Sequence, residues 1–229
     1  MAGFGFILVA QGADYQFESG QGKTRLLELF TSEGCSSCPP AEVWLTRLKN
    51  SPGLWKTFVP LAFHVDYWDH LGWRDGFAAK EWTARQYRYS SRWNGNSVYT
   101  PGFVLDGREW RNTDIPSGTT DAAGILKISV AKQGELLAEF HPATKNGGGF
   151  DLHVACLGFD LKTDVAGGEN NGRKLQHDFV VLSLVSEKMN DGKAQLQLAG
   201  LDARTGAIAA WVTLPDQIEA IQVVGGWVR

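Results

Sequence analysis

The sequence predicts an α/β domain with a central mixed sheet, followed by an antiparallel β-sandwich-like domain. A buried strand, a Cys-x-x-Cys pair, an amphipathic helix and a second buried strand follow one another within residues 23–66, which is the order of a βαβ crossover. After Gly134 the pattern changes to short apolar runs separated by turn residues, as in antiparallel sandwiches. We therefore expect an N-terminal extension at 1–21, a first domain at 22–134 and a β-rich domain at 135–229.

Composition narrows the class of protein. The 229 residues are 43% hydrophobic and 21% charged, as in ordinary packed globular proteins. The net charge is -3 and the chain has no long basic run, which argues against a non-specific nucleic-acid binder. No stretch has the ~18 consecutive apolar residues of a membrane-spanning helix. We therefore expect no nucleic-acid partner and no membrane span.

The N-terminus has two interpretations. The run Phe4–Ala10 is similar to the apolar part of an export signal, and Ala10-Gln11-Gly12 offers small residues for cleavage. The run is short and no Lys or Arg precedes it. Residues 1–21 are thus either the remnant of a signal or an extension that begins with a strand.

The first domain begins with a strand, a helix and a second strand. Residues 23–30 are predicted to form a strand buried on both faces, as in a parallel sheet. The helix is predicted over 41–50, with Pro39 and Pro40 in its first turn, where a missing N–H costs nothing. Its apolar face is formed by Ala41, Trp44, Leu45 and Leu48. The second strand is predicted over 57–66.

Three further elements complete the first domain. The sequence predicts a helix over 77–93, a hairpin that turns at Asp106-Gly107, and a closing helix over 119–132. Six strand-like runs follow in the second domain, beginning near residues 135, 150, 178, 194, 207 and 218.

The cysteine pair carries most of the chemistry that the sequence predicts. Cys35 and Cys38 stand in GCSSCPP, directly before the first helix. A thiol at a helix N-terminus faces unpaired N–H groups and the positive end of the helix dipole, which stabilise its thiolate. We expect Cys35 to attack, and Cys38, one turn further and more buried, to resolve the mixed disulfide. The order of strand, cysteine pair, helix, strand, helix and hairpin is the thioredoxin arrangement.

A proline supports this arrangement. Thioredoxin-like proteins carry a cis-proline that opens a strand beside the cysteines and presents backbone to a bound peptide. Thr100-Pro101 stands at the matching place in the element order. We predict that the Thr100–Pro101 bond is cis, although only about 5–6% of X–Pro bonds are. Both residues are candidates for substrate binding.

Five other residues are candidates for the same site. Glu28 lies on the buried strand, where thioredoxins often carry an acid that accepts the proton of the resolving thiol; the alternative is an ion pair with Arg or Lys. His64 and Asp66 alternate along the second strand near its C-terminal end, where sites form in α/β sheets. They form a polar pair beside the cysteines or a structural His–Asp pair. Trp68 and Trp73 either floor a cleft for a ligand or cover the sheet.

Two features have simple structural interpretations. The glycines of 167–172 superficially suggest a phosphate loop, but no Lys-Ser/Thr follows them. We therefore predict a β-turn there. Cys156, in an alternating run, is predicted to be buried and inert. With only three cysteines in the chain, no disulfide framework is expected.

Several long strings resemble a known family. ELFTSEGCSSCPPAE, LAFHVDYWDHLGWRDGFAAKEWTARQ and VYTPGFVLDG are similar to the thioredoxin-like bacterial proteins grouped as domain of unknown function 1223 (DUF1223). The resemblance continues into GENNGRKLQHDFVVLSL and covers most of the chain after about Lys23. It implies a thioredoxin-like fold and a periplasmic or secreted protein, and it supplies no established reaction. Gly102-Phe103 departs from the Gln-led strand of the family, which puts peptide selectivity in doubt.

Three functions remain open. The first is a thiol–disulfide oxidoreductase that acts on protein or small-molecule thiols through Cys35 and Cys38, without another cofactor. The second is a copper(I) site formed by Cys35, Cys38 and His64, although copper chaperones usually space their cysteines more widely. The third is a non-catalytic binding module in which the disulfide is structural. Ser36-Ser37 favours the third, because active oxidoreductases often carry Pro, His or Tyr between the cysteines.

Overall fold

The computed structural model describes residues 13–112, 114, 117–119, 121–144, 148–198, 201 and 203–228. The apolar run Phe4–Ala10 and the cleavage site that follows it lie outside these residues. Within the described part, no helix is both long enough and apolar enough to cross a lipid bilayer.

Fourteen strands and two α-helices form in these residues. The strands are β1 (Tyr15–Glu18), β2 (Arg25–Thr31), β3 (Phe58–His64), β4 (Gly102–Leu105), β5 (Arg108–Trp110), β6 (Gly124–Val130), β7 (Glu135–Pro142), β8 (Phe150–Gly158), β9 (Leu161–Asp164), β10 (Lys174–His177), β11 (Val180–Met189), β12 (Lys193–Gln197), β13 (Thr205–Thr213) and β14 (Gln222–Trp227). The helices are α1 (Pro39–Arg47) and α2 (Lys80–Arg92), and short 3₁₀ turns form at Leu48–Asn50 and Asp69–Leu71.

An eight-stranded mixed sheet forms the centre of the molecule, in the order β14-β13-β8-β11-β3-β2-β4-β5. β3 pairs in parallel with β2 and with β11, while the other described pairs of this sheet are antiparallel. A four-stranded sheet, β1-β6-β7-β12, and a small β10-β9 ribbon complete the strands.

The two faces of the eight-stranded sheet bury different elements. Since successive side chains of a strand point to opposite faces, β2 divides its residues between two cores. Leu27 and Leu29 pack with residues of α1, whereas Leu26 and Phe30 pack with residues of α2. α1 and α2 therefore lie on opposite faces, which explains why β2 is almost continuously apolar.

The four-stranded sheet covers the rest of the α1 face. Apolar residues of β6 and β7, such as Ile128 and Phe140, share a core with Cys156 of β8 and Ile208 of β13. The predicted burial of Cys156 is confirmed. The four-stranded sheet and strands β8 and β13 thus form a two-layer β-sandwich. The eight-stranded sheet extends beyond this sandwich, and there the helices pack against it.

The predicted α/β thioredoxin-like domain followed by a separate β-sandwich-like domain is wrong. The structure is mostly β-sheet, and β8, β11, β13 and β14 join the same sheet as β2 and β3. The reason is that β8 and β13 are apolar on both faces, so they occupy the interior of a wide sheet. Gly134, where the domain boundary was predicted, lies in the turn between β6 and β7. The division into two domains stays a prediction.

The predicted helix over 119–132 is also wrong. Half of it is strand β6, which pairs with β1 and β7. Its sequence, GILKISV, alternates between buried and more exposed residues, and this period of two places one side against a core. By contrast, the predictions for β2, α1, β3, α2 and the β4–β5 hairpin are confirmed.

Candidate functional site

The C-terminal ends of β2 and β3 lie at one edge of the large sheet. The two strands are parallel, and their last residues, Thr31 and His64, are register partners. Residues 32–38, which we call the cysteine turn, lead from β2 into α1. Sites in sheets of this kind form beyond the carboxyl ends of the strands, and the groups described below gather there.

Cys35 and Cys38 form a disulfide across the cysteine turn. Cys38 directly precedes α1 as its N-cap, and its carbonyl oxygen accepts hydrogen bonds from the N–H groups of Ala41 and Glu42. Ser37 Oγ lies 3.3 Å from Cys35 Sγ. Both cysteines are fully buried, with 0% relative exposure. A thiol in solution therefore does not reach either sulfur in this conformation.

A segment of the C-terminal half, which we call the covering loop (residues 167–172), lies against the cysteine turn. The Glu169 carboxylate accepts hydrogen bonds from the Ser36 N–H (2.9 Å) and the Ser36 hydroxyl (2.7 Å). These two bonds lower the pKa of Glu169. The N–H of Asn171 bonds to the carbonyl oxygen of Gly168, so the predicted turn is confirmed.

Asn170 ties the covering loop to the cysteine turn. Its side chain is fully buried, and its Nδ2 donates to the carbonyl oxygens of Glu33 and Cys35, each at 2.9 Å. Arg173 in turn donates to Asn170 Oδ1 at 2.8 Å. Both polar atoms of the carboxamide group, Nδ2 and Oδ1, are thereby hydrogen-bonded, which orients the side chain.

Beneath the cysteine turn lies a set of buried ionisable residues, which we call the polar cluster: Glu33, Glu42, His64, Asp75 and His177. His177 Nδ1 is hydrogen-bonded to Glu42. His177 Nε2 lies 3.2 Å from Glu33 Oε1, but the two atoms are not aligned for a hydrogen bond and neither has another. Glu33 Oε2 accepts a bond from Trp73 Nε1 at 2.7 Å. Burial favours the neutral form of His177. The carboxylates of Glu33 and Glu42 favour the charged form more strongly, so they raise the pKa of His177 to about 10.

His64 is held by Asp75 in a similar way. His64 Nδ1 lies 2.7 Å from Asp75 Oδ2, while His64 Nε2 is buried without a hydrogen-bond partner. Burial raises the pKa of Asp75, but His64 and the N–H groups of Glu33 and Phe77 outweigh it and hold the pKa below its usual value. Asp75 therefore fixes the imidazole with its second nitrogen unengaged.

Glu42 connects the cluster to the helix that follows the disulfide. It lies in the first turn of α1, and its Oε1 accepts a bond from Thr31 Oγ1 at 2.5 Å. Burial opposes its charged form, but His177, His64 and Thr31 together lower the pKa of Glu42. Glu42, His64 and His177 each have one atom that could bind a metal ion, and these three atoms lie within 4.8 Å of one another.

The structure does not bring Glu28 to the cysteines. Glu28 is fully buried on the face of the sheet that carries α2, opposite α1. Its Oε1 accepts a bond from Arg85 Nε at 2.6 Å and its Oε2 a bond from the Tyr89 hydroxyl. These contacts match the ion-pair interpretation of Glu28.

His64 and Asp66 bond to different partners. Asp66 accepts a bond from Thr83 Oγ1 at 2.6 Å, whereas His64 pairs with Asp75. Because Cys35 and Cys38 are joined in a disulfide, they offer no thiolates to a metal in this state. The copper(I) hypothesis for these cysteines with His64 thus concerns the reduced protein and stays a prediction.

The remaining predicted residues surround the cysteine turn. A Cβ atom added to Gly34 would lie 2.9 Å from Trp68 Cβ, so Trp68 packs directly against the turn. Trp68 Nε1 donates to Thr100 Oγ1 at 2.8 Å. The Thr100–Pro101 bond is cis, as predicted. The role of these residues, and of Trp73, in binding a substrate stays a prediction.

Sequence reasoning missed most of the polar cluster and the covering loop. Glu42 carries a usable signal, since it is a charged residue one turn from Leu45 on the buried side of α1. Glu33 directly precedes the cysteine motif. His177 and Asn170 lie in GENNGRKLQH, which matched the family resemblance but suggested no chemistry. Only the folded chain brings that string to the cysteine turn.

A family model described as protein of unknown function (DUF1223) matches residues 26–213. The chain belongs to the DUF1223 family. The match spans the cysteine turn, the polar cluster and the covering loop of the DUF1223 chain, so the predicted membership is confirmed. No curated protein matches the DUF1223 chain.

Two solved structures resemble the DUF1223 chain. A crystal structure of a protein from Agrobacterium tumefaciens has a TM-score of 0.67 at 23% identity, covering 92% of this chain and 97% of that one. HBP35 of Porphyromonas gingivalis has a TM-score of 0.59 at 17% identity, covering 91% of this chain and 76% of that one. At these identities the likeness concerns the fold alone.

Proposed function

We propose that this DUF1223 protein is a thiol–disulfide exchange protein that uses Cys35 and Cys38. The observation that carries the proposal is the disulfide directly before α1, with a hydroxyl group 3.3 Å from Cys35 Sγ. In the reduced protein, Ser37 can donate a hydrogen bond to the Cys35 thiolate, and the dipole of α1 favours negative charge at this end.

The exchange proceeds in two balanced steps. The Cys35 thiolate attacks one sulfur of a partner disulfide, so that a mixed disulfide forms and the partner's other sulfur leaves as a thiolate. The Cys38 thiolate then attacks Cys35 Sγ, which releases the partner as a dithiol and restores the Cys35–Cys38 disulfide. Protein or small-molecule thiols drive the same two steps in reverse.

Burial of both cysteines means that the exchange requires a local opening. Glu169 and Asn170 link the covering loop to the cysteine turn through hydrogen bonds. Gly168 and Gly172 have left-handed φ angles of 68° and 80°, which glycine adopts without steric cost. We infer that displacement of the covering loop exposes the disulfide, since surface loops open at lower free energy than the whole fold.

The helix terminus stabilises a Cys35 thiolate less than the cysteine motif suggests. Pro39 and Pro40 carry no N–H groups, and the N–H of Ser36 is already bonded to Glu169. The negative charge of Glu169 also opposes a nearby thiolate. We therefore expect slow exchange in the closed conformation and faster exchange once the covering loop has moved.

A surface groove offers a docking site for a protein partner. A groove of about 520 Å³ lies beside the edge strand β5 and is lined by Tyr99, Pro101, Phe103, Trp110, Arg111 and Asn112. An extended peptide could pair with the exposed backbone of such an edge. We propose that this surface, next to the cis Thr100–Pro101 bond, holds the thiol-bearing segment of the partner.

The alternative is a non-catalytic binding module with a structural disulfide, and the complete burial of Cys35 and Cys38 favours it. The reduction potential separates the two. The protein is equilibrated in defined glutathione and dithiothreitol buffers, and the free thiols are alkylated and counted. An exchange protein should have a potential above about -300 mV, whereas a lower value indicates a structural disulfide. Cys35→Ala/Cys38→Ala corrects for labelling of Cys156.

We also propose that the protein is exported to the periplasm or secreted, because disulfides persist in oxidising compartments. Fractionation of cells that express the full-length gene tests this. Recovery of the protein in the cytoplasmic fraction with reduced cysteines would contradict both the export and the stable disulfide.

A further inference from the structure

The polar cluster contains an imidazole nitrogen that the exchange chemistry does not explain. His64 is 1% exposed and His64 Nε2 has no hydrogen-bond partner. A buried polar atom without a partner costs free energy, because it has lost its hydrogen bonds to water. Most buried polar groups in native proteins are therefore bonded, and this nitrogen is free to accept a bound ion or a water molecule.

The second nitrogen of the same ring is held in the manner of a metal ligand. Asp75 binds His64 Nδ1 at 2.7 Å and is itself held by the N–H groups of Glu33 (2.9 Å) and Phe77 (2.9 Å). A carboxylate that fixes one imidazole nitrogen, and so aims the other, is the usual outer support of a metal-bound histidine.

Two further donors lie near a ring nitrogen of His64. A carboxylate oxygen of Glu42 and a ring nitrogen of His177 belong to the same group of atoms, all within 4.8 Å of one another. With metal–ligand distances of about 2.0–2.2 Å, a small rotation of the side chains is enough for three such atoms to share one ion. The donors come from α1, β3 and β10, so the fold brings together parts of the chain that are distant in sequence.

The charge of the polar cluster also suits a cation. Three buried carboxyl groups, those of Glu33, Glu42 and Asp75, are close to only two histidines. The ion pairs that the described residues make with these three carboxylates are with His64 and His177. Burying excess negative charge is costly, and a divalent cation would offset it.

We propose that Glu42, His64 and His177 bind a divalent transition-metal ion, with Asp75 as a positioning residue for His64. Two imidazole nitrogens and one carboxylate oxygen form a donor set that suits zinc, with a further position left for water. Binding of the ion releases the proton that lies between His177 and Glu42. This site contains no cysteine, so it differs from a copper(I) site at Cys35 and Cys38 and does not depend on exchange activity.

Titration of the full-length protein with Zn²⁺, after removal of metal by a chelator, tests the site. Calorimetry should show one ion bound per chain, and the Cys35→Ala/Cys38→Ala variant should bind equally well. His64→Ala should weaken binding by at least about 100-fold, and Asp75→Asn by about 10–100-fold. His141→Ala, which removes an exposed histidine of β7, should leave the affinity unchanged.

Co²⁺ absorption keeps the proposal testable if a cluster variant fails to fold. The wild-type protein should give the visible bands of a four- or five-coordinate ion without the charge-transfer band of a thiolate ligand. No stoichiometric binding by the wild-type protein, or binding that disappears only when the two cysteines are removed, would overturn the proposal. Either result leaves the exchange function to be decided by the reduction potential.

Discussion

Asn170 Nδ2 donates a hydrogen bond of 2.9 Å to the carbonyl oxygen of Cys35, although 135 residues separate the two along the chain. The same nitrogen donates to the carbonyl oxygen of Glu33. A fully buried side chain of the C-terminal half thus holds the backbone of the cysteine turn. The backbone around the disulfide is therefore held by a part of the protein far from it in sequence.

Asn170→Ala should weaken both the fold and the cover of the disulfide. The substitution removes the Asn170 donor from the Glu33 carbonyl oxygen, which costs about 1–3 kcal/mol, while the Cys35 carbonyl oxygen keeps a bond from the N–H of Cys38. We expect the free energy of unfolding in urea to fall, and dithiothreitol to reduce the disulfide faster under native conditions. Asn171→Ala, a change at the exposed neighbouring residue, is the matched control. Equal reduction rates for wild type and Asn170→Ala would show that the covering loop does not limit access.

Glu169→Gln should accelerate reduction of the disulfide without a comparable loss of stability. The substitution keeps the shape of the side chain but removes the charge that accepts two hydrogen bonds from Ser36, and it removes the repulsion of a Cys35 thiolate. We expect the rate of reduction to rise by about threefold to tenfold, the effect of one or two weakened hydrogen bonds.

The effect of Glu169→Gln should also depend on salt. Since the carboxylate is exposed, high ionic strength should narrow the difference between the two proteins. Glu187→Gln, an exposed carboxylate on β11, serves as the control for a change in net charge. An unchanged or slower reduction of Glu169→Gln would contradict the role assigned to the Glu169–Ser36 contact.

Glu28→Gln should destabilise the protein through Arg85. Arg85 is buried, pairs with Glu28 at 2.6 Å, and lies over the ring of Trp211. Removing the carboxylate leaves the guanidinium uncompensated, and we expect a loss of about 3–5 kcal/mol in the free energy of unfolding. Glu28→Leu/Arg85→Met should recover most of it, because an apolar pair of similar volume replaces both charges.

The same variant separates the two interpretations of Glu28. If Glu28 only pairs with Arg85, Glu28→Gln should exchange with thiols at the wild-type rate per folded molecule. A rate that falls with an altered pH dependence, while the fold is retained, would restore the predicted role as proton acceptor.

His153 should make the protein less stable in acid. Burial, followed by the charges of Arg85 and Arg88, lowers its pKa to about 3, whereas the unfolded chain titrates near 6.5. The unfolded state therefore binds more protons between these values, and stability falls as the pH drops through about 6.5 towards 3. The slope is at most about 1.4 kcal/mol per pH unit.

His153→Gln should flatten that slope. A glutamine can still bond to the hydroxyls of Ser186 and Thr213, which now contact the imidazole at 2.7 and 3.1 Å. Urea unfolding of the wild type and His153→Gln at pH 7, 6 and 5 measures how the free energy of unfolding of each depends on pH. The contribution of the carboxylates is the same in both proteins and cancels in the comparison. Parallel curves for the two proteins would show that His153 does not titrate in this way.

Local patterns predicted the elements around the cysteines but not their assembly. The apolar run of β2, the helical spacing of α1 and the Asp106-Gly107 turn each lie within one short segment, and all three predictions are confirmed. The predicted helix at 119–132 was wrong although GILKISV in β6 alternates with period two, which is a local signal for a strand. The pairing of β6 with β1, which is distant in sequence, leaves no comparable local signal.

Residues of the candidate site show the same division. The sequence alone predicted the Cys35–Cys38 pair from its spacing before a helix, and the cis bond at Pro101 from its place in the order of elements. It could not show that Glu28 and the cysteines lie on opposite faces of the large sheet. That arrangement is set by the face of the sheet on which α1 packs. Nor could it join Glu42 with His177, which contact each other across 135 residues.

The sequence by itself determined the chemistry that is present: two cysteines before a helix, a nearby proline and membership of the DUF1223 family. Tertiary structure decided how accessible that chemistry is and what surrounds it. Burial of the disulfide, the covering loop and the convergence of Glu42, His64 and His177 arise because β8, β11 and β13 join the sheet of β2 and β3. The pairing of these strands in one sheet places β10 and the covering loop next to the cysteine turn. This pairing depends on long-range packing that no single segment encodes.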